Sequence, residues 1–127
     1  MDSNISENSL IRFDEFYRET EPIAVIKLLP HELEQKNKEL NFQKGYDDLD
    51  YLEYVRLEIT TDRTVALISH ENTPIPGTDI CVAPDQLDIA SILINTIDRL
   101  ELSDRDLSWI HPDYEQEFQR SLKSNQN

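Results

Sequence analysis

Glycine is scarce in this chain of 127 residues, with only Gly45 and Gly77 present. Loops that cradle phosphate need several glycines so that backbone N–H groups can approach the ligand, and neither GxGxxG nor GxxxxGK[ST] occurs. The GxSxG turn of a hydrolase nucleophile elbow is missing too. Cysteine is scarcer still. Cys81 is the only one, so no intramolecular disulfide is possible and an oxidising compartment is not implied. No apolar run approaches the ~20 residues of a membrane helix; the longest, Ile23 to Leu29, is interrupted by Lys27. The first residues, Met1-Asp2-Ser3-Asn4, are polar and acidic where a secretory leader is basic and then apolar. These absences predict a soluble, cytoplasmic protein.

Positive charge is the next deficit. Twelve Lys and Arg stand against 26 Asp and Glu, a formal charge of -14. Binding to nucleic acid rests on cations that displace counterions from phosphates, so this chain is expected to avoid direct contact with DNA, RNA and anionic membranes. Its electrostatic complement is a basic protein surface or divalent cations. The plainer reading is that the acidity only keeps the protein soluble.

What is present is a patterned, foldable chain. The length suits one domain, and roughly two-thirds of the unfolded surface can be buried at this size. The mean hydropathy of -0.59 and hydrophobic share of 38% are polar for a globular protein, but the apolar residues are clustered and periodic. Residues 9–120 are expected to form the domain, with 1–8 and 121–127 frayed. Leu10, Phe13 and Tyr17 suggest a short helix capped by Ser9 and ended by Pro22. The stretch Ile23–Leu29 reads equally as strand or helix. Pro30 suits a helix start, which predicts helix over 30–40 and loop over 41–50.

Residues 51–61 alternate, with Tyr51, Val55, Leu57 and Ile59 on one parity and Arg56 and Glu58 on the other, as a half-buried strand requires. A short turn leads to a second strand over 64–70, giving a central hairpin near 51–70. Residues 79–83 form a third strand candidate. Pro84 at the first helical position predicts a helix through Arg99, with Ile89, Ala90, Leu93, Ile94, Ile97 and Leu100 on one arc and Ile92 off it. Ser103-x-x-Asp106 resembles a capping box. Tyr114, Phe118 and Leu122 outline a last helix after Pro112. The fold class is therefore α+β: a small antiparallel sheet of about three strands packed by N- and C-terminal helices.

Chemistry is harder to place. His31-Glu32 lacks the second histidine of a zinc-protease helix. His70, Cys81 and His111 could converge only through folding, and an apolar strand more commonly holds Cys81 as an inert buried thiol. The acidic runs at 47–50 and 104–106 lack the glycine of a calcium loop. No metal site and no cofactor is expected. Surface recognition remains. Tyr46, Asp47, Asp48, Asp50, Tyr51, Glu53 and Tyr54 interleave aromatic area with carboxylates, which suits capture of a cationic partner. Trp109, the single tryptophan, lies in a second candidate patch over 106–114, where it either anchors the C-terminal helix to the core or serves as an interface hot spot. Ile75, between two prolines, is a third.

The run from Tyr51 through Asp88-Ile89-Ala90 to Ile110-His111-Pro112 resembles the small excision-controlling factors of cyanobacterial DNA elements. The resemblance covers about half the chain, rests on strand order and a few common residues, and implies no site. The residues themselves lead to a non-enzymatic module, an inhibitor, immunity-type protein or regulatory adaptor that binds a basic protein surface. The alternatives are a small metal-assisted enzyme using His70, His111 and carboxylates, or an accessory subunit in which Ile92 or Trp109 is covered by a neighbour.

Overall fold

The computed structural model describes residues 11–12, 19–46 and 51–126. Strand β1 is Ile11–Arg12 and β2 is Glu21–Ile26; helix α1, Pro30–Lys36, is followed by β3 at Gln43–Tyr46. The hairpin is β4, Tyr51–Thr60, with β5, Arg63–His70; β6 is Thr78–Val82. Helix α2, Ile89–Arg99, a 3-10 turn at Asp104–Asp106, β7 at Leu107–Ile110 and helix α3 at Pro112–Gln126 complete the chain. The sheet order is β1-β3-β4-β5-β6-β2-β7. Every pairing is antiparallel except the two-residue contact of β1 with β3.

The α+β class holds, but the sheet is twice the expected size. The hairpin, its two-residue turn and the third strand lie where the alternation placed them. Four further strands, β1, β2, β3 and β7, join these three. Ile23–Leu29 resolves into the end of β2, with Pro22 tolerated because the register shifts there. Gln43–Tyr46 becomes strand by pairing with Tyr51–Tyr54. Leu107–Ile110 follows the capping box, whose Ser103 N–H donates to Asp106 Oδ2 at 2.9 Å, but the helical turn lasts three residues before the chain extends along β2. The predicted helix over 10–17 is contradicted at Ile11–Arg12, and its remainder lies outside the described residues. The last helix runs on to Gln126 rather than fraying from 121.

The three helices among the described residues contribute to one core with one face of the sheet. Leu33 of α1, Ile89 and Leu93 of α2, and Phe118 of α3 share a buried cluster with Leu57, Val65, Leu67, Ile80 and Ile26. Helix α1 stops at Asn37, earlier than Leu40. The Asn37 side chain accepts from Glu39 N–H at 3.3 Å and donates to Arg99 O at 3.4 Å, tying the ends of α1 and α2 together. Helix α2 begins five residues after Pro84, because Asp88 adopts a left-handed conformation (φ 57°) that a continuing helix cannot accommodate. Its Ile92 is 1% exposed. The helix is packed by the sheet on one side and α3 on another, so Ile92 offers nothing to a neighbouring subunit.

The opposite face of the sheet carries a second, smaller cluster: Leu52, Tyr54, Ala66, Ile68 and Cys81. Burial pushes the Cys81 thiol up to about 12, with the negative charge of Asp79 acting in the same direction and a hydrogen bond to Thr20 against it. A cysteine that ordinarily ionises near 9.0 thereby loses about 1,000-fold of its thiolate at pH 8. In the native protein Cys81 should react with a thiol-modifying disulfide reagent at least that much more slowly than after unfolding in urea. Native labelling within tenfold of the unfolded rate would contradict this.

Candidate functional site

Strand β4 runs from the core to the surface. Its odd positions pass from Leu57, 5% exposed, through half-buried Val55 and Glu53 to Tyr51, 56% exposed. Antiparallel register places Lys44 opposite Glu53, and Glu53 opposite Ser69, in one row across β3, β4 and β5. Paired residues share a sheet face, so this row continues the face that the helices cover. Beyond the helices the apolar side chains give way to polar ones, and a cleft of about 540 Å³ opens there.

The walls come from distant parts of the sequence. Leu29, Pro30 and His31 at the start of α1 form one side, and Thr73, Pro76 and Gly77 form another. Glu32 accepts from Leu29 N–H at 2.9 Å, which sets the first turn of α1. Ser69 Oγ donates to Gly77 O at 2.7 Å and fastens the 71–77 loop to β5. Gly77 is required for that approach: at φ +152° an added Cβ would stand 2.3 Å from Ile26 O. Lys44, Glu53 and Glu71 all line the cleft. Among the described residues, none of their side chains enters a hydrogen bond or ion pair. The ion pairs described lie elsewhere: Arg63 with Asp88 and Arg99 with Glu39.

The predicted partner-binding residues are only partly assembled by the fold. Tyr51 and Glu53 line the cleft, and Tyr46 pairs with Tyr51 at its edge. Asp47, Asp48 and Asp50 lie outside the described residues. Tyr54 is a correction. It is 3% exposed in the second cluster, because the strand's even positions are buried over Leu52 and Tyr54 before turning to solvent at Arg56 and Glu58. Trp109 is on β7, at the far side of the sheet from β3 and β4. Four strand spacings separate β4 from β7, about 19 Å, so Trp109 and Tyr51 belong to different surfaces. Ile75 is 60% exposed beside the cleft loop.

Sequence reasoning missed His31, Lys44, Ser69, Glu71 and Gly77 as cleft residues. Only Gly77, isolated after Pro76, carried a local signal of close backbone approach. No group of three or more His, Cys, Asp and Glu side chains among the described residues is placed to hold a metal ion. His70, Cys81 and His111, which could have converged only through folding, are not brought together. Burial raises the pKa of Asp79, with His70 acting in the opposite direction. No helix among the described residues is long and apolar enough to cross a membrane. Comparison with protein-family models, curated proteins and solved structures finds no match, and none supports the resemblance to excision-controlling factors.

Proposed function

We propose that the protein is a non-enzymatic binding module, of the inhibitor, immunity or regulatory-adaptor kind, that takes a basic protein surface at the Tyr51–Glu53 cleft. The reading includes action in a reducing compartment such as the cytoplasm, where a lone thiol is unexceptional. One observation carries it. In a chain of charge -14, Glu53 and Glu71 line a ~540 Å³ cleft beside exposed Tyr51. A protruding lysine or arginine fits such a recess. Its stem lies along Tyr51, its head meets the carboxylates in a charge-assisted bond, and the field of the whole chain speeds the encounter. Lys44 at the same wall limits the site to a small number of cations and favours a shaped partner over any polycation.

The test is paired capture from native lysate with immobilised wild type and the triple variant Tyr51→Ala, Glu53→Gln, Glu71→Gln. Wild type should retain one basic protein at low salt and release it as salt rises. The variant, with an unchanged circular dichroism spectrum, should bind that protein at least tenfold more weakly, since central aromatic and charged residues carry ~2 kcal/mol or more in such contacts. Equal retention by the variant, or a captured protein that is acidic and insensitive to salt, would remove the cleft reading.

A further inference from the structure

We infer that the free edge of β7 receives an extended, basic peptide segment as an additional strand, with the Trp109–His111–Tyr114 row as its platform. The inference shares with the cleft reading only the basic character of the partner; the surface is a different one.

Among the described residues, strand β7 ends the sheet and pairs on one side only, with β2. The ladder is regular where Ala24 faces Ile110 and Val25 faces Trp109, and His111 N–H extends it with a 2.8 Å bond to Ile23 O. In an antiparallel ladder alternate residues turn their backbone groups toward the partner and away from it. His111 and Trp109 face β2, so the N–H and C=O of Ile110 face outward. One residue earlier the register steps, with Ile26 opposite Leu107 and Val25 opposite Trp109, which leaves Ser108 as a bulge. The usable edge is thus short, centred on Ile110, and its backbone bonds need support from side chains.

That support is adjacent. Trp109 is 39% exposed. Its ring meets His111 edge-on at 5.7 Å, and His111 lies 5.1 Å from Tyr114. Asp113 N–H donates to His111 Nδ1 at 3.1 Å, which holds the middle ring in place. A fixed aromatic row of this kind offers area at little entropic cost and a face for a cation.

Charge selects the occupant. The short strand and its bulge at Ser108 already limit pairing at this edge, but Leu107-Ser108-Trp109-Ile110 carries no lysine or proline that would block it at Ile110. Asp104 and Asp106 precede it and Asp113 and Glu115 follow, against Arg105 alone. A second copy, edge to edge, would bring these acids and two charges of -14 together. A segment alternating arginine or lysine with small residues meets them favourably and lays a guanidinium on Trp109.

The experiment titrates the full chain with a blocked octapeptide alternating arginine and threonine, following the fluorescence of Trp109, the only tryptophan. A saturable change is expected. It should weaken at least about tenfold when alternate peptide nitrogens are methylated, which removes strand pairing and keeps the charge. The cleft triple variant should respond as wild type does. The inference is overturned if the methylated peptide or a glutamate–threonine peptide binds equally well, or if no saturable change occurs. A response abolished in the cleft variant would move the peptide to the cleft and equally overturn it. So would a concentration-dependent dimer, seen by light scattering, that Trp109→Ala dissolves.

Discussion

Replacing Phe118 with alanine is expected to cost about 3–5 kcal/mol of folding stability, a large part of the ~5–15 kcal/mol that holds a domain of this size. Phe118 is 0% exposed and heads the fully buried side chains by volume. It is the centre of the stripe by which α3 docks, with Tyr114 and Leu122 only partly buried on either side. The rest of that helix is polar, so little else fastens it to α2. Removal leaves a cavity next to a cluster that includes Ile92 and Leu93, and a rigid sheet behind them limits collapse. Urea titration, followed by circular dichroism and by Trp109 fluorescence, should show the midpoint falling by more than about 1 M for an m-value near 1–3 kcal/mol/M. A loss under about 1 kcal/mol would mean that α3 is not integral to the core.

Gly77→Ala should be nearly as damaging, at about 2–4 kcal/mol, although it adds only a methyl group. The conformation at φ +152° disfavours any side chain, and the new Cβ would lie 2.3 Å from the Ile26 carbonyl oxygen and 3.1 Å from Val25 Cγ1. Neither contact yields easily, because β2 is held between β6 and β7. The same substitution displaces the carbonyl that accepts from Ser69, so partner capture at the cleft should fall with stability. Leu87→Ala, at a side chain 80% exposed, serves as the control and should stay within about 0.5 kcal/mol of wild type. A similarly small loss for Gly77→Ala would show that the loop relaxes and that the close approach is not required.

The hairpin was legible because β4 and β5 are long and alternate, and a turn of two residues leaves little freedom of register. The third strand and the last helix were legible for similar reasons of pattern. Gln43–Tyr46 was not, since Gln-Lys-Gly-Tyr has no apolar alternation and becomes strand through the partner it finds in β4. Leu107–Ile110 was hidden by the capping box before it and by its brevity. Pro84 misdirected the start of α2, for a proline permits a helix start without compelling one, and the turn at Asp88 prevailed. Ile92 looked exposed because a helical wheel assumes one buried arc, whereas α2 is packed from two sides.

The candidate site divides in the same way. Tyr51 and Glu53 were visible as an aromatic residue and an acid entering a strand. Tyr54 was misplaced because the strand changes its buried face along its length. The cleft itself could not be read. Its walls come from the start of α1, the register of three strands and a loop held down by Gly77, and no short window contains them.

By itself the sequence determined the charge of -14, the α+β class, the central hairpin, the apolar stripes of α2 and α3, and the pairing of tyrosine with acid at β4. Each of these depends on composition or on residues a few positions apart. Tertiary structure alone decided that β2 separates β6 from β7, that Cys81 and Tyr54 share a buried face, that Glu53 and Glu71 meet at one cleft, and that Trp109 stands at an edge. These depend on pairings between segments tens of residues apart, where register is chosen by the burial of whole faces and by backbone groups that must all be satisfied at once.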